Sequence, residues 1–188
     1  MNKPRQIGTR AESAVVRYLT ANGFPHAERR SLRGALDAGD VTGCPGICIE
    51  IKGGDAARTA SDLQIERWMD ELATETVNAT ADVGVLVVQR AGVGPGNAGR
   101  WWAYMPAFEL AALLMGEQAV GVNGAFPVRM LLGDAVTLLR AAGYGQPAEV
   151  TTGPLPTECV GEVRQRRTIQ LRPHVREALA GLDPSGAA

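Results

Sequence analysis

Two charged residues, Glu50 and Lys52, interrupt an otherwise apolar segment of the sequence, Ile47–Lys52. Side chains of a β-strand alternate between its two faces, so the segment predicts a half-buried strand. Its three isoleucines would face the core, and Cys48, Glu50 and Lys52 would share the other face. Burying a carboxylate and an ammonium together is costly unless each has a partner. The pair therefore indicates a functional site, with a surface ion pair on an exposed edge strand as the alternative.

A further carboxylate, Asp40, lies ten residues before Glu50, across a turn predicted at residues 43–46. If the flanking segments pair as a hairpin, the two carboxylates can meet near one end of it. Convergent carboxylates repel each other unless a cation lies between them, and carboxylate oxygens with water suit Mg²⁺ or Mn²⁺. Asp37 would lie on the other face of a regular strand and ranks second. A turn-forming role is the alternative for Asp40.

Glu12 and Gln64 are candidate site residues, but each can be explained at least as well as a residue that caps a helix. Each is the last residue of a capping-box pattern, at residues 9–12 and 61–64, and such residues cap a helix start. Glu12 also shares a helical stripe with Val16 and Leu19, which places it at the border of the inward face. We therefore weigh the two roles of Glu12 evenly, and for Gln64 we favour capping.

The elements that must position these residues follow from periodicity and turn signals. The pattern predicts a helix at 10–21, an extended segment at 24–31, strands at 38–42 and 47–52, a helix from 61 to about 76 and a buried strand at 83–89. A glycine-rich loop at 90–99 and a strand at 100–105 follow. Helical patterns recur at 107–115 and 133–142, before a linker at 144–156 and a basic segment at 163–182. This order predicts an α/β or α+β core in the first two-thirds of the chain.

Composition and charge describe an ordinary folded chain of 188 residues, 45% hydrophobic and 21% charged, with a net charge of −1. The charges are unevenly placed, because residues 1–35 hold seven basic residues against two acidic ones. A second basic stretch contains Arg164, Arg166, Arg167, Arg172 and Arg176. Local patches rather than the average charge decide contact with phosphates, and solvated surface arginines are the alternative.

Together the site residues resemble the PD-(D/E)XK nuclease superfamily, and within it the Holliday-junction resolvases of archaea and actinobacterial phages. The resemblance covers roughly residues 8–106 and is carried by Gly8-Thr-Arg-Ala-Glu12, Gly39-Asp40-Val-Thr-Gly43 and Glu50-Ile-Lys52. Gly39 stands where the superfamily's name has proline, a frequent departure. The implied fold is a restriction-endonuclease-like α/β core at 1–106, with helix, three strands, helix and two strands building a mixed central sheet flanked by helices. A C-terminal helical and basic extension would occupy 107–188.

The resemblance also implies a role for each site residue. Asp40 and Glu50 would bind Mg²⁺, for which Mn²⁺ would substitute, and the carbonyl of Ile51 would add a ligand. Glu12 would hold a second ion or a water ligand of the first. Lys52 would orient the attacking water or stabilise the phosphorane, and beside two carboxylates it should stay charged. DNA-backbone contacts would come from Arg10, Arg29, Arg30 and Arg33.

The expected function is therefore metal-dependent endonucleolytic hydrolysis of DNA. By resemblance, a homodimer would make paired nicks at four-way junctions in DNA recombination and repair. A same-fold nuclease acting on flaps, ends or duplex DNA is an alternative, as is a non-catalytic DNA-binding protein that retains the fold. The three cysteines are predicted to be reduced thiols. The sequence contains no apolar run long enough to span a membrane, and its first residues lack the apolar core of a signal peptide. The expected location is the cytoplasm, or the host cytoplasm if a phage encodes the chain.

Overall fold

The computed structural model describes residues 3–30, 37–115 and 124–147. Arg33, the linker beyond residue 147 and the basic segment at 163–182 lie outside these described residues. In chain order the elements are α1 (Lys3–Ala21), β1 (Glu28–Arg29), β2 (Val41–Thr42), β3 (Ile47–Lys52), α2 (Gly54–Arg58), α3 (Asp62–Asn78), β4 (Val83–Val88), a 3₁₀ segment (Pro95–Arg100), β5 (Trp102–Pro106), α4 (Ala107–Met115), β6 (Pro127–Leu131) and α5 (Leu132–Ala141).

A mixed four-stranded sheet in the order β3-β4-β5-β6 forms the centre of the molecule. β3 and β4 run parallel, with α3 as their crossover helix, while β5 and β6 are antiparallel to their neighbours. Residues of α1, α5 and the 3₁₀ segment pack on one face of the sheet, and residues of α3 pack on the other. The predicted mixed α/β class is confirmed. None of the helices in the described ranges is long and apolar enough to cross a membrane.

Strand β3 has the predicted bounds and the predicted alternation of side chains. Ile47, Ile49 and Ile51 belong to the core on the α1 side, and Cys48 belongs to the core on the α3 side. The strand is more enclosed than predicted, because five of its six residues are buried. Parallel strands with helices on both faces are buried on both sides. Glu50 is therefore in the interior, whereas Lys52 is half-buried.

Helix α1 begins seven residues earlier than predicted, so the prediction of a capping box at residues 9–12 is wrong. Thr9 lies within the helix, where its carbonyl accepts a hydrogen bond from Ser13 Oγ. The first turns contact the two glycines that follow β3: a Cβ on Gly54 would meet the side chain of Ile7. This tertiary contact overrides the local capping signal. Glu12 consequently has no capping role.

The segment before β3 is not the regular hairpin partner that the sequence predicts. Only Val41–Thr42 is a strand, and it pairs with β1 in a small antiparallel ribbon. The ribbon is joined to β3 through Asp40, whose N–H donates to the carbonyl of Ile49 at 2.8 Å. Gly39 has a φ of +83°, a conformation that glycine adopts readily and that lets the chain bend at this point. A Cβ here would also meet the backbone of Ile49.

The sheet continues beyond Pro106, the predicted limit of the nuclease core. β6 pairs with β5 over Pro127–Leu131, and Leu132, Val136 and Leu139 of α5 join the core on the α1 side. One compact unit extends over Met1–Glu149. The predicted glycine-rich loop at 90–99 is wrong in part, since the 3₁₀ segment begins at Pro95 and buries Ala98.

We predict that Gly43→Ala destabilises the protein far more than Gly92→Ala. Both glycines have positive φ, +78° and +74°. A Cβ on Gly43 would overlap the carbonyl oxygen of His26, whereas a Cβ on Gly92 would meet nothing within 4 Å. Urea unfolding should give a loss of about 1 kcal/mol for Gly92→Ala and at least about 3 kcal/mol for Gly43→Ala. Equal losses would contradict the tight packing of the ribbon.

Candidate active site

Asp40 lies at the edge of β3 that does not pair with β4, and hydrogen bonds to the strand's backbone hold it there. Its N–H donates to the carbonyl of Ile49, and its Oδ2 accepts from the N–H of Ile51 at 2.8 Å. Alternate residues of a strand direct their N–H and C=O groups to the same side. The carbonyl of Ile51 therefore points to the edge of β3 where the carboxylate of Asp40 lies.

Glu50 and Lys52 form an ion pair on the α3 side of β3. Lys52 Nζ lies 2.8 Å from Glu50 Oε1. The same ammonium is 2.8 Å from Oε2 of Glu71, and it lies 5.7 Å from the ring centre of Trp68. Two carboxylates and an aromatic face thus hold Lys52 in one position. The alternative considered from the sequence, a surface ion pair on an exposed edge strand, does not describe this pair, because Glu50 is buried and Lys52 is half-buried beneath α3.

Burial raises the pKa of the Asp40 carboxyl group and that of the Glu50 carboxyl group. The pKa of Asp40 is about 7, raised first by burial and then by the charge of Glu50, although the hydrogen bond from Ile51 lowers it. The pKa of Glu50 is also about 7, raised by burial against the opposing effect of Lys52. A buried and a half-buried carboxyl group that repel each other near neutral pH form a site at which a cation is favoured.

Lys52 remains protonated. Burial lowers its pKa, but hydrogen bonds to Glu50 and Glu71 outweigh that effect and raise the pKa above its ordinary value. A permanently charged ammonium cannot accept a proton from water. It can stabilise negative charge that develops nearby, as expected from the sequence.

Two further carboxylates in this cluster, Glu71 and Glu75, were missed by the sequence analysis. Both lie on α3, one turn apart, and Glu75 is buried with its Oε2 lacking a hydrogen-bond partner among the described residues. Burial first, and then the charge of Asp37, raise the pKa of Glu75, whereas a hydrogen bond with Glu50 lowers it. One signal was available: Glu75 is three residues after Leu72 and seven after Trp68, on the apolar stripe of the helix.

Glu12 lies near Asp40 but is engaged by an arginine. Its Oε2 is 2.7 Å from Nε and 2.6 Å from Nη2 of Arg29. Its charge contributes to the raised pKa of Asp40, which places it within electrostatic reach of that group. Glu12 is thus at the border of the site, and its partner Arg29 comes from β1.

Four other site residues predicted from the sequence lie in the described part of the chain. Arg30 is exposed, and its N–H donates to the carbonyl of Asp40, so its backbone helps to position that residue. Arg10 is exposed on α1. Asp37 is exposed, and its carbonyl accepts from Asn78 of α3 at 2.7 Å. The N–H of Gln64 donates to Oγ of the N-cap residue Ser61, which confirms the predicted helix start.

The oxygen donors of the cluster fit a Mg²⁺ ion that keeps several water ligands. In the described part of the chain, no three His, Cys, Asp or Glu side chains form a group that could hold a metal by themselves. Mg²⁺, however, needs only one or two protein carboxylates and keeps several waters. Asp40, Glu50 and the carbonyl of Ile51 provide such a set, and the unpartnered oxygen of Glu75 lies in the same cluster. Cys44 and Cys48 are free and buried.

Comparisons with known proteins do not assign the chain to a family. No protein-family model matches it, no curated protein is significantly similar to it, and no solved structure matches its fold significantly.

We predict that Asp40→Asn stabilises the metal-free protein at pH 8. The raised pKa of Asp40 means that the folded state holds a proton which the unfolded chain releases near pH 4. Stability is therefore lost as the pH rises from about 4 to about 7. Removing the charge should restore about 1 to 3 kcal/mol at pH 8 and about nothing at pH 4.

Urea unfolding in EDTA at both pH values would measure this difference, with Asp70→Asn as the control. Asp70 is an exposed residue of α3. The asparagine retains an oxygen that can accept from the N–H of Ile51. Equal stability of Asp40→Asn and the unsubstituted protein at pH 8 would show that burial does not destabilise the ionised carboxyl group.

Proposed function

We propose that the protein is a metal-dependent DNA endonuclease whose active site consists of Asp40, Glu50 and Lys52. The observation that supports the proposal most strongly is the meeting of half-buried Asp40 and buried Glu50 at β3, where burial raises the pKa of each carboxyl group to about 7 and Lys52 stays charged. A purely structural ion pair would not need a second buried carboxylate. Perturbed groups that cluster in this way are typical of functional sites.

The metal would be Mg²⁺, with Mn²⁺ as a substitute. It would supply a Lewis acid for the scissile phosphate and help to ionise the attacking water. Asp40 and Glu50 would hold it, with the Ile51 carbonyl as a further donor. The backbone fixes Asp40 through hydrogen bonds at both its N–H and its carboxylate. The site is therefore largely preorganised on the chain's own backbone.

Lys52 would act on the negative charge of the phosphorane as an electrostatic stabiliser. Glu50 of β3 and Glu71 of α3 both hold its ammonium at 2.8 Å, so the two partners limit its motion. Preorganised charges of this kind account for a large share of catalysis because they need no rearrangement during the reaction. Glu12 would contribute only after Arg29 has moved to a phosphate, because the two now form an ion pair.

The resemblance of the sequence to junction resolvases has implications for the fold, the substrate and the assembly. We propose a restriction-endonuclease-like core, in which the crossover from β3 through α3 to β4 carries the site. The preferred substrate would be a four-way DNA junction, and a homodimer would supply two sites for paired nicks. Arg10, Arg30 and Arg33 would contact the DNA backbone, together with Arg29.

We predict that the protein nicks a labelled four-way junction symmetrically in Mg²⁺ and leaves it intact in EDTA. Asp40→Asn should lower the cleavage rate by at least about a hundredfold, because it removes a metal ligand. Asp70→Asn, the same change of side chain on the exposed face of α3, should cleave as the unsubstituted protein does. Gel analysis of both labelled strands measures the rate and the symmetry.

Matched duplex, flap and single-stranded substrates separate the alternatives. Equal cleavage of all substrates would leave the nuclease and remove the junction preference. Folded protein that binds the junction but cuts nothing in Mg²⁺ or Mn²⁺ would support the non-catalytic alternative. Sedimentation of the protein with and without the junction would test the homodimer.

A further inference from the structure

Two arginines lie against the ring of Trp102, on the side of the sheet that also carries Glu50 and Lys52. The guanidinium carbon of Arg90 is 4.3 Å from the ring centre, and that of Arg129 is 4.6 Å from it. Arg90 follows β4, Trp102 opens β5, and Arg129 lies in β6. Three chain segments thus meet in what we call the Arg–Trp–Arg stack. Arg129 is exposed, and the other two residues are partly exposed.

The strand register relates this stack to the candidate active site. Lys52 is paired with Val88, and Val88 is paired with Trp102. Trp102 and Lys52 therefore lie in one row across the sheet, two strands apart. They also share a face, because Trp102 packs on the core cluster that contains Cys48 and Trp68. Since neighbouring strands are about 4.8 Å apart, the separation along the row is about 10 Å.

The charge of the stack is uncompensated in the described part of the chain. No carboxylate there lies within 4 Å of Arg90 or Arg129, whereas Arg29 and Arg58 each have an acidic partner. The aromatic face holds both guanidinium groups, so less side-chain entropy is lost when they bind a ligand. Planar guanidinium groups fixed in this way suit the oxygens of phosphate.

We propose that the Arg–Trp–Arg stack is a second contact for the phosphate backbone of the nucleic acid, separate from Arg10, Arg29 and Arg30. This inference rests on the proposed nuclease function. The backbones of Lys52 and Trp102 are about 10 Å apart, which corresponds to about three nucleotides of axial rise along one strand. Arg90 and Arg129 would thus bind phosphates a few nucleotides from the scissile one, while Trp102 positions them. This contact sets the direction in which a strand crosses the site.

Binding measured without cleavage tests the proposal. Fluorescence anisotropy with a labelled four-way junction in EDTA, over a series of salt concentrations, gives the affinity and its salt dependence. The double variant Arg90→Ala/Arg129→Ala should weaken binding at least about tenfold. It should also reduce the slope of log affinity against log salt by about two, one for each lost phosphate contact. In Mg²⁺ the KM should rise while kcat at saturating DNA stays close to its original value.

The control is the double variant Arg17→Ala/Arg100→Ala, which removes the same charge from exposed positions of α1 and the 3₁₀ segment. It should lower the salt slope by less than one. Trp102→Leu keeps an apolar side chain but removes the aromatic face. It should weaken binding several-fold while both arginines are present, because only their positioning is lost.

The outcomes distinguish this inference from the proposed function. If the unsubstituted protein binds and cleaves DNA, and both double variants behave alike, the stack is not a phosphate contact and the nuclease stands. A change in sedimentation of the Arg90→Ala/Arg129→Ala variant without a change in DNA affinity would make the stack a contact between copies of the chain. If the unsubstituted protein neither binds nor cleaves any DNA, both proposals are wrong.

Discussion

The burial of Glu50 beneath α3 is the constraint on which the rest of the site depends. A carboxylate in the interior is unfavourable without a counter-charge, and here Lys52 supplies one at 2.8 Å. The same helix that buries Glu50 also brings Glu71 to Lys52 and Glu75 to the carboxyl cluster. Acidic groups outnumber the single ammonium of this cluster, so its burial remains costly. The proposed cation would offset this cost.

The topology explains why the cluster lies at an edge of the sheet. The crossover from β3 to β4 places α3 over one face, while α1 and α5 cover the other. β3 pairs with β4 on one side only, which leaves its other side for the ribbon that carries Asp40. The site can therefore combine interior groups with groups that solvent or a substrate can reach. Enclosure on both faces and access at one edge are both needed for an electrostatic site of this kind.

The arginines near the site differ in whether a carboxylate of the protein already neutralises their charge. The charge of Arg29 is balanced by Glu12, and Arg30 also uses its backbone to hold Asp40. Arg90 and Arg129 are instead stacked on an aromatic ring. A net charge of −1 conceals this distribution, because the acidic residues include a group of carboxylates gathered beneath and beside α3. Local placement, not the total charge, governs association with a phosphate backbone.

Local patterns in the sequence determined the elements that carry the candidate site. The alternation of Ile47–Lys52 identified β3 and its two faces, and Ser61 marked the start of α3. These elements could be predicted because periodicity and capping act between residues that are near in sequence. The mixed α/β class followed from their order. The pairing of Asp40 with Glu50 as site residues was suggested by the sequence, together with Lys52.

Tertiary packing alone decided how those residues are arranged. Helix α1 contacts Gly53 and Gly54 and begins at Lys3, so Glu12 lies inside the helix and has no capping role. Packing of α3 on β3 brought Glu71 and Glu75 to the site, and the sheet register aligned Trp102 with Lys52. Each of these contacts joins residues that are distant in the chain. Their free energy depends on burial and on partners that no local pattern encodes.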